Sequence, residues 1–165
     1  MDSLVKLYLE RAENELQLAR VIFEVTSNKK LQRDVFHLDR DFSFFSGVIA
    51  HSYYAIFYSA KAYLLSKGIK VRAPNEHKKA FEAFKKLVNN GVVDAELLKL
   101  DETMVVRAGA LLGLFKIEKR KRGRFTYQRL SQANKEPAEE SMGNSTTFFK
   151  HMFGLVQSSQ RQAKR

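Results

Sequence analysis

A chain of 165 residues has room for one domain with its own core, and it contains no cysteine, which excludes disulfide scaffolds and thiolate metal sites. Two prolines and eight glycines beside 44% hydrophobic residues favour long helices over a β-sandwich. The net charge of +11 favours polyanionic partners, although a basic surface serving solubility or an acidic protein partner would carry the same charge.

The first expected helix runs from about Ser3 to Val25. Leu4, Tyr8, Ala12, Leu16, Ala19 and Phe23 recur at three- and four-residue steps, and Asp2 or Ser3 supplies the cap. This N-terminus lacks the apolar stretch of a signal peptide. The following stretch, TSNKKLQRDVFHLDRDF, is polar, with at most a short helical turn around Leu31 to Leu38. His37 lies there beside Asp34 and Asp39, and it reads as a solvated loop histidine rather than a metal ligand.

Phe44 to Gly68 is the most apolar and aromatic stretch of the chain, and three rows run down it at helical spacing. Phe45, Ile49, Tyr53, Ile56, Ala60 and Leu64 form a bulky row. Val48, Ser52, Ala55, Ser59, Ala62 and Ser66 form a small one. His51, Tyr54, Tyr58 and Lys61 form a polar–aromatic one. A helix occupied on three sides belongs in the middle of a bundle. Ser43 is its expected N-cap, and Gly68 its left-handed terminator. Lys61 interrupts the best candidate for a membrane span, so the default is a soluble cytoplasmic protein with no membrane partner.

Asn75 is placed to cap a third helix ending near Asn90, with Ala80 and Phe84 facing inward. Asp94 is placed to cap a fourth, running to about Arg122 along Leu97, Met104, Ala108, Leu111 and Phe115. Arg107, in the apolar neighbourhood VVRAGALLGLF, is expected to be buried and to need a carboxylate or a phosphate. Lys116 to Arg129, KIEKRKRGRFTYQR, then holds seven cations against one Glu, with Gly123 as a helix breaker. One reading makes Lys119, Arg120, Lys121, Arg122, Arg124, Arg129 and Tyr127 a surface for nucleic acid or phosphate. The other is a solvated helix end whose aromatic residues fold back into the core. A last helix opens at Lys135 to Pro137 and packs through Met142, Phe149, Phe153 and Val156. These elements make one domain over 1–158, followed by a basic tail over 159–165.

The stretch HSYYAIFYSAKAYLLSKGI resembles the second-helix signature of HEPN domains, and the order of the other helices agrees with it, including the Arg-Phe-Thr-Tyr segment and a last helix beginning near AEES. The specific part is Ile49 to Ile69. The resemblance implies an all-α, five-helix, up-and-down bundle that forms a homodimer. It further implies a partner of a minimal nucleotidyltransferase in a toxin–antitoxin arrangement, with nucleotide or RNA contact. Its alternative is a metal-independent endoribonuclease. Catalytic members of that family carry an Arg followed four to six residues later by a His, and RAPNEH offers Arg72 and His77. Ala73 follows that Arg where a polar residue is usual, and the pair lies earlier in the chain than the family motif. His51, beside two tyrosines in space along the helix, is either a general base or phosphate ligand, or a core histidine bonded to a neighbouring helix. No metal or cofactor is expected, because no phosphate-binding loop, dinucleotide fingerprint, HExxH or GxSxG occurs.

Overall fold

In the computed structural model, residues 2–100, 106–127 and 135–162 are described, the side chains of 126, 127 and 162 excepted. Arg129 and the side chain of Tyr127, both assigned to the basic surface, lie outside the described residues. These residues form seven α-helices: α1 (Ser3–Ser27), α2 (Lys29–Asp34), α3 (Phe45–Ser66), α4 (Glu76–Asn89), α5 (Val92–Leu100), α6 (Ala108–Tyr127) and α7 (Lys135–Gln162). The fold is an all-α bundle, and no strand occurs among the described residues.

Helix α3 is the axis. None of its residues is exposed, and the bulky and small rows are buried from Val48 to Leu64. The other long helices pack around it. α1 runs antiparallel, with Ala19 and Ile22 beside Val48 and Ile49 at one end and Tyr8 stacked on Tyr58 further along. α7 runs parallel, from Ala138 near Val48 to Ser159, whose hydroxyl accepts from Lys67 Nζ at 3.0 Å. α6 returns antiparallel, its Phe115 against Tyr53 and its Phe125 beside Val48 and Ile49. The centre of the core is aromatic: Phe115 meets the rings of Tyr53, Phe81, Phe84 and Phe148 at centroid separations of 5.4 to 6.3 Å.

The terminators show which local signals decide. Gly68 adopts φ 76°, Ile69 N–H donates to Leu64 O, and Gly68 N–H donates to Leu65 O, the bonding pattern of a Schellman end. Asp2 caps α1 by accepting from Leu4 N–H. Ser43 does not cap α3; Phe44 holds that position without a side-chain bond. Asn75 likewise makes no capping bond, and instead turns the chain in a left-handed conformation at φ 63°.

Seven helices replace the expected five for two reasons. Asn28 caps a short α2, and the buried Gln32 then ties the loop to the bundle. Its amide donates to Val25 O and Phe42 O and accepts from Phe42 N–H. The expected fourth helix is two: Val106 and Arg107 are non-helical, and Asp94, inside α5, accepts from Ala108 N–H at 2.8 Å and so caps α6. Arg107 is exposed, not buried, and stands just ahead of α6 rather than inside a core-facing helix. Gly123 does not end α6; contacts of Arg122 and Phe125 with α3 and its neighbours outweigh a glycine penalty of about 1 kcal/mol. Phe153 is exposed, and α7 packs instead through Phe148, Met152 and Leu155.

Candidate functional site: a cationic–aromatic cluster beside α3

One face of α3, between the start of α4 and the middle of α6, gathers most of the chemistry. Tyr53 and Tyr54 lie side by side there, with Phe57 and Lys61 one and two turns on. His77, in the first turn of α4, stacks on Phe57 with ring centroids 4.0 Å apart. Its Nδ1 lies 2.9 Å from Tyr53 Oη, a hydrogen bond whose donor depends on the imidazole tautomer. From α6, Arg122 Nη2 donates to Tyr54 Oη at 2.7 Å, and its guanidinium lies over the rings of both tyrosines at 4.9 and 5.3 Å. Lys119, one turn earlier, sits 4.9 Å over the Phe81 ring. Lys119 and Arg122 share a helix face, three residues apart, and so both reach α3 and α4.

Lys61 closes the far side. Its side chain is only 7% exposed, and its ammonium donates to Glu76 Oε2 at 3.1 Å while lying 4.5 Å over Tyr8. An ammonium at that depth is held by its carboxylate and by the ring faces together.

These neighbours set the state of His77. Burial first, then the Arg122 charge, push its pKa below the ordinary histidine value; Glu76 pulls the other way, and Lys119 and Lys61 add to the depression. The imidazole is therefore neutral in a field of cations. Tyr53 is raised by burial, against the pull of Arg122, so its phenol stays protonated. A histidine whose folded pKa is depressed takes up its proton more readily unfolded. Stability from this site is thus complete above about pH 6.5 and is lost as pH falls through that value toward the lower folded one. The half-exposed position keeps the effect modest. We expect His77→Gln to flatten the stability decline between about pH 7.5 and pH 5.5, read by urea unfolding. An unchanged slope would contradict the depressed histidine.

Of the other candidates, Arg72 is exposed in the α3–α4 connector, where its backbone carbonyl accepts from Lys79 Nζ. No described hydrogen bond or ion pair joins its side chain to His77. His51 points to α1, its Nδ1 2.6 Å from Glu15 Oε2, at a half-exposed position. His37 is exposed at the end of the α2 segment. Among the described residues, no group of three His, Asp or Glu converges to hold a metal ion.

The basic run is not one surface. Helical rotation sorts it into three directions. Lys119 and Arg122 turn toward α3 and α4. Lys121 turns toward α7 and bridges Glu118 Oε1 at 3.1 Å and Glu140 Oε2 at 2.6 Å. Arg120 and Arg124 are exposed, Arg124 with its guanidinium over Phe125. Reading all five as exposed charges, any three of which could be replaced by Gln with the fold intact, is therefore corrected: Lys121 and Arg122 are tied into the bundle. Glu118, which sequence spacing leaves unremarked, is fully buried. Its carboxylate is held by Lys121 and by Asn144 Nδ2 at 2.8 Å.

No family model matches the chain, and no curated protein matches it. The terms HEPN, toxin–antitoxin, nucleotidyltransferase partner and RNA or nucleotide binding, which rested on the resemblance of one helix, are corrected accordingly: no relative carries them. What stands is an all-α bundle whose described helices include none long and apolar enough to cross a membrane.

Proposed function

We propose that the chain is a binding module whose Arg122–Lys119–His77 face receives an oxyanion-bearing ligand. The observation behind this reading is that three cations, Arg122, Lys119 and Lys61, gather around the half-buried His77, whose imidazole is kept neutral by burial and by those charges. An oxyanion entering that field gains charge-assisted hydrogen bonds from a guanidinium and an ammonium, and the imidazole can add a third donor. The half-buried Tyr54 ring, backed by the buried Tyr53 and Phe57, is the aromatic surface beside which the rest of a ligand would lie. Inorganic phosphate is the simplest probe. Calorimetric titration of the intact chain should show saturable binding that Lys119→Gln weakens about tenfold, the loss of one hydrogen bond to a charged group. Lys119 makes no ion pair among the described residues, so this variant keeps the fold. Equal binding by both proteins would sink the reading.

A homodimer is the accompanying proposal, with its surface relocated. The small row of α3, along which another helix could approach closely, is buried within the bundle and cannot serve. Helix α1 instead presents Leu7, Leu18 and Val21, which are 41, 43 and 57% exposed, on a second apolar stripe beside its core-facing one. Leu7 to Leu18 and Val21 keeps the three- and four-residue rhythm of a helix seam, interrupted by Arg11 and Asn14. α1 carries Lys6, Arg11 and Arg20 against Glu10, Glu13, Glu15 and Glu24, a net charge of −1 in a chain of +11. A second copy can meet this helix, antiparallel about a two-fold axis, without bringing two strongly positive faces together. Sedimentation should show a dimer at micromolar concentration that Leu7→Glu with Leu18→Glu converts to a folded monomer. A monomeric wild type would refute it.

A further inference from the structure

Beyond Lys61, on the side away from His77, a cavity opens between the first turns of α1 and the α3–α4 connector. Its volume is about 130 Å³. Leu4, Leu65 and Ile69 form its apolar walls, Tyr8 one aromatic side, and Lys61, Lys70 and Arg72 are all among its lining residues, with no carboxylate. This arrangement meets the oxyanion face described above at Lys61 and its partners Tyr8 and Glu76.

We propose that this cavity binds a small aliphatic monocarboxylate, its carboxylate held by Arg72 and Lys70 and its hydrocarbon body against Leu4, Leu65 and Ile69. Four features of the cavity select that class. Three cations without an acid exclude a cationic ligand. The apolar walls give a hydrocarbon body a place that a bare inorganic ion would leave empty. The volume, room for about four waters, is too small for a nucleotide or a sugar phosphate. The fourth feature is Glu76, whose bond to Lys61 places a carboxylate beside one of the three lining cations. That carboxylate offsets one of the three positive charges, so the site suits a ligand with one negative charge rather than two or three.

Arg72 thus acquires a role different from catalysis. It lies in a connector, exposed, with its planar donor fork available to a carboxylate in a bidentate pair. Gly68 matters to the same site, because the left-handed turn there sends Ile69 to Arg72 back along the α1 side of the bundle.

The test uses the full chain with pentanoate, and with pentanol and pentylamine as neutral and cationic counterparts. Methyl resonances of Leu4, Leu65 and Ile69 should shift saturably with pentanoate. Pentanol and pentylamine should bind at least about tenfold more weakly, the value of a charge-assisted hydrogen bond. Arg72→Gln, at an exposed position, should weaken pentanoate binding by about the same factor while leaving pentanol unchanged. Lys119→Gln should leave pentanoate binding intact, which separates failure of this site from failure of the oxyanion face. Pentanol binding as tightly as pentanoate, Arg72→Gln binding like wild type, or shifts that never saturate would each overturn the proposal.

Discussion

Replacing Phe115 with alanine is expected to destabilise the chain by about 3–5 kcal/mol, the range for removing a large aromatic side chain from a packed core. Phe115 is fully buried and stands where α3, α4, α6 and α7 converge, touching the rings of Tyr53, Phe81, Phe84 and Phe148. The loss has two parts. Burial of the ring itself stabilises by a few kcal/mol, and each edge-to-face or tilted pair adds about 0.5–1.5 kcal/mol beyond area. The surrounding helices cannot close the void cheaply, because the other rings are held at their far sides by Tyr63 and by each other. For a domain whose total stability is about 5–15 kcal/mol, the variant would be close to unfolding at physiological temperature. Urea denaturation with an unchanged slope and a much lower midpoint is the expected result. A loss below about 1 kcal/mol would mean that Phe115 is not at the centre of the core.

The second large effect lies in the basic run, and it separates its members. Lys121→Gln should cost about 3 kcal/mol, because it strips the ammonium from a carboxylate that has no access to water. Glu118 would then retain only the Asn144 amide as donor, at a position that is fully buried. Arg120→Gln, at an exposed position, should change stability by less than about 0.5 kcal/mol. The double variant Glu118→Gln with Lys121→Gln should recover most of the loss, since the buried charge and its partner leave together. Thermal unfolding of the three proteins settles the matter. If Lys121→Gln and Arg120→Gln behave alike, Glu118 is not a buried anion in solution.

These two residues also mark what can be read from the sequence. Phe115 is legible: it falls on the apolar line with Ala108 and Leu111, at spacings that only a helix makes contiguous. The three rows of α3 are legible for the same reason, because helical period alone sorts them and burial follows. Glu118 and Lys121 are not legible. Both sit in a dense run of charge, and whether a charged residue faces water or α7 depends on where a helix distant in sequence arrives. The division of α5 from α6 is hidden in the same way: Asp94 looks like a cap for the helix it begins, whereas its carboxylate meets Ala108 across a tertiary contact. Of the candidate site, His77 is legible as a residue, paired by spacing with Arg72. Its neighbours Tyr53, Phe57 and Arg122 come from two other helices, and only the assembled bundle replaces Arg72 with Arg122 as the cation beside it.

The most direct test of the oxyanion site is the titration of His77 itself, followed by the imidazole proton resonance with and without phosphate. His77→Gln assigns the signal among the four histidines. Without phosphate the resonance should titrate below about pH 6.5, depressed by burial and by Arg122. With saturating phosphate the midpoint should rise, because a bound anion favours the imidazolium, and Lys119→Gln should require more phosphate for the same rise. A His77 midpoint that starts in the ordinary range, or one that stays fixed as phosphate is added, would contradict an oxyanion site beside α3.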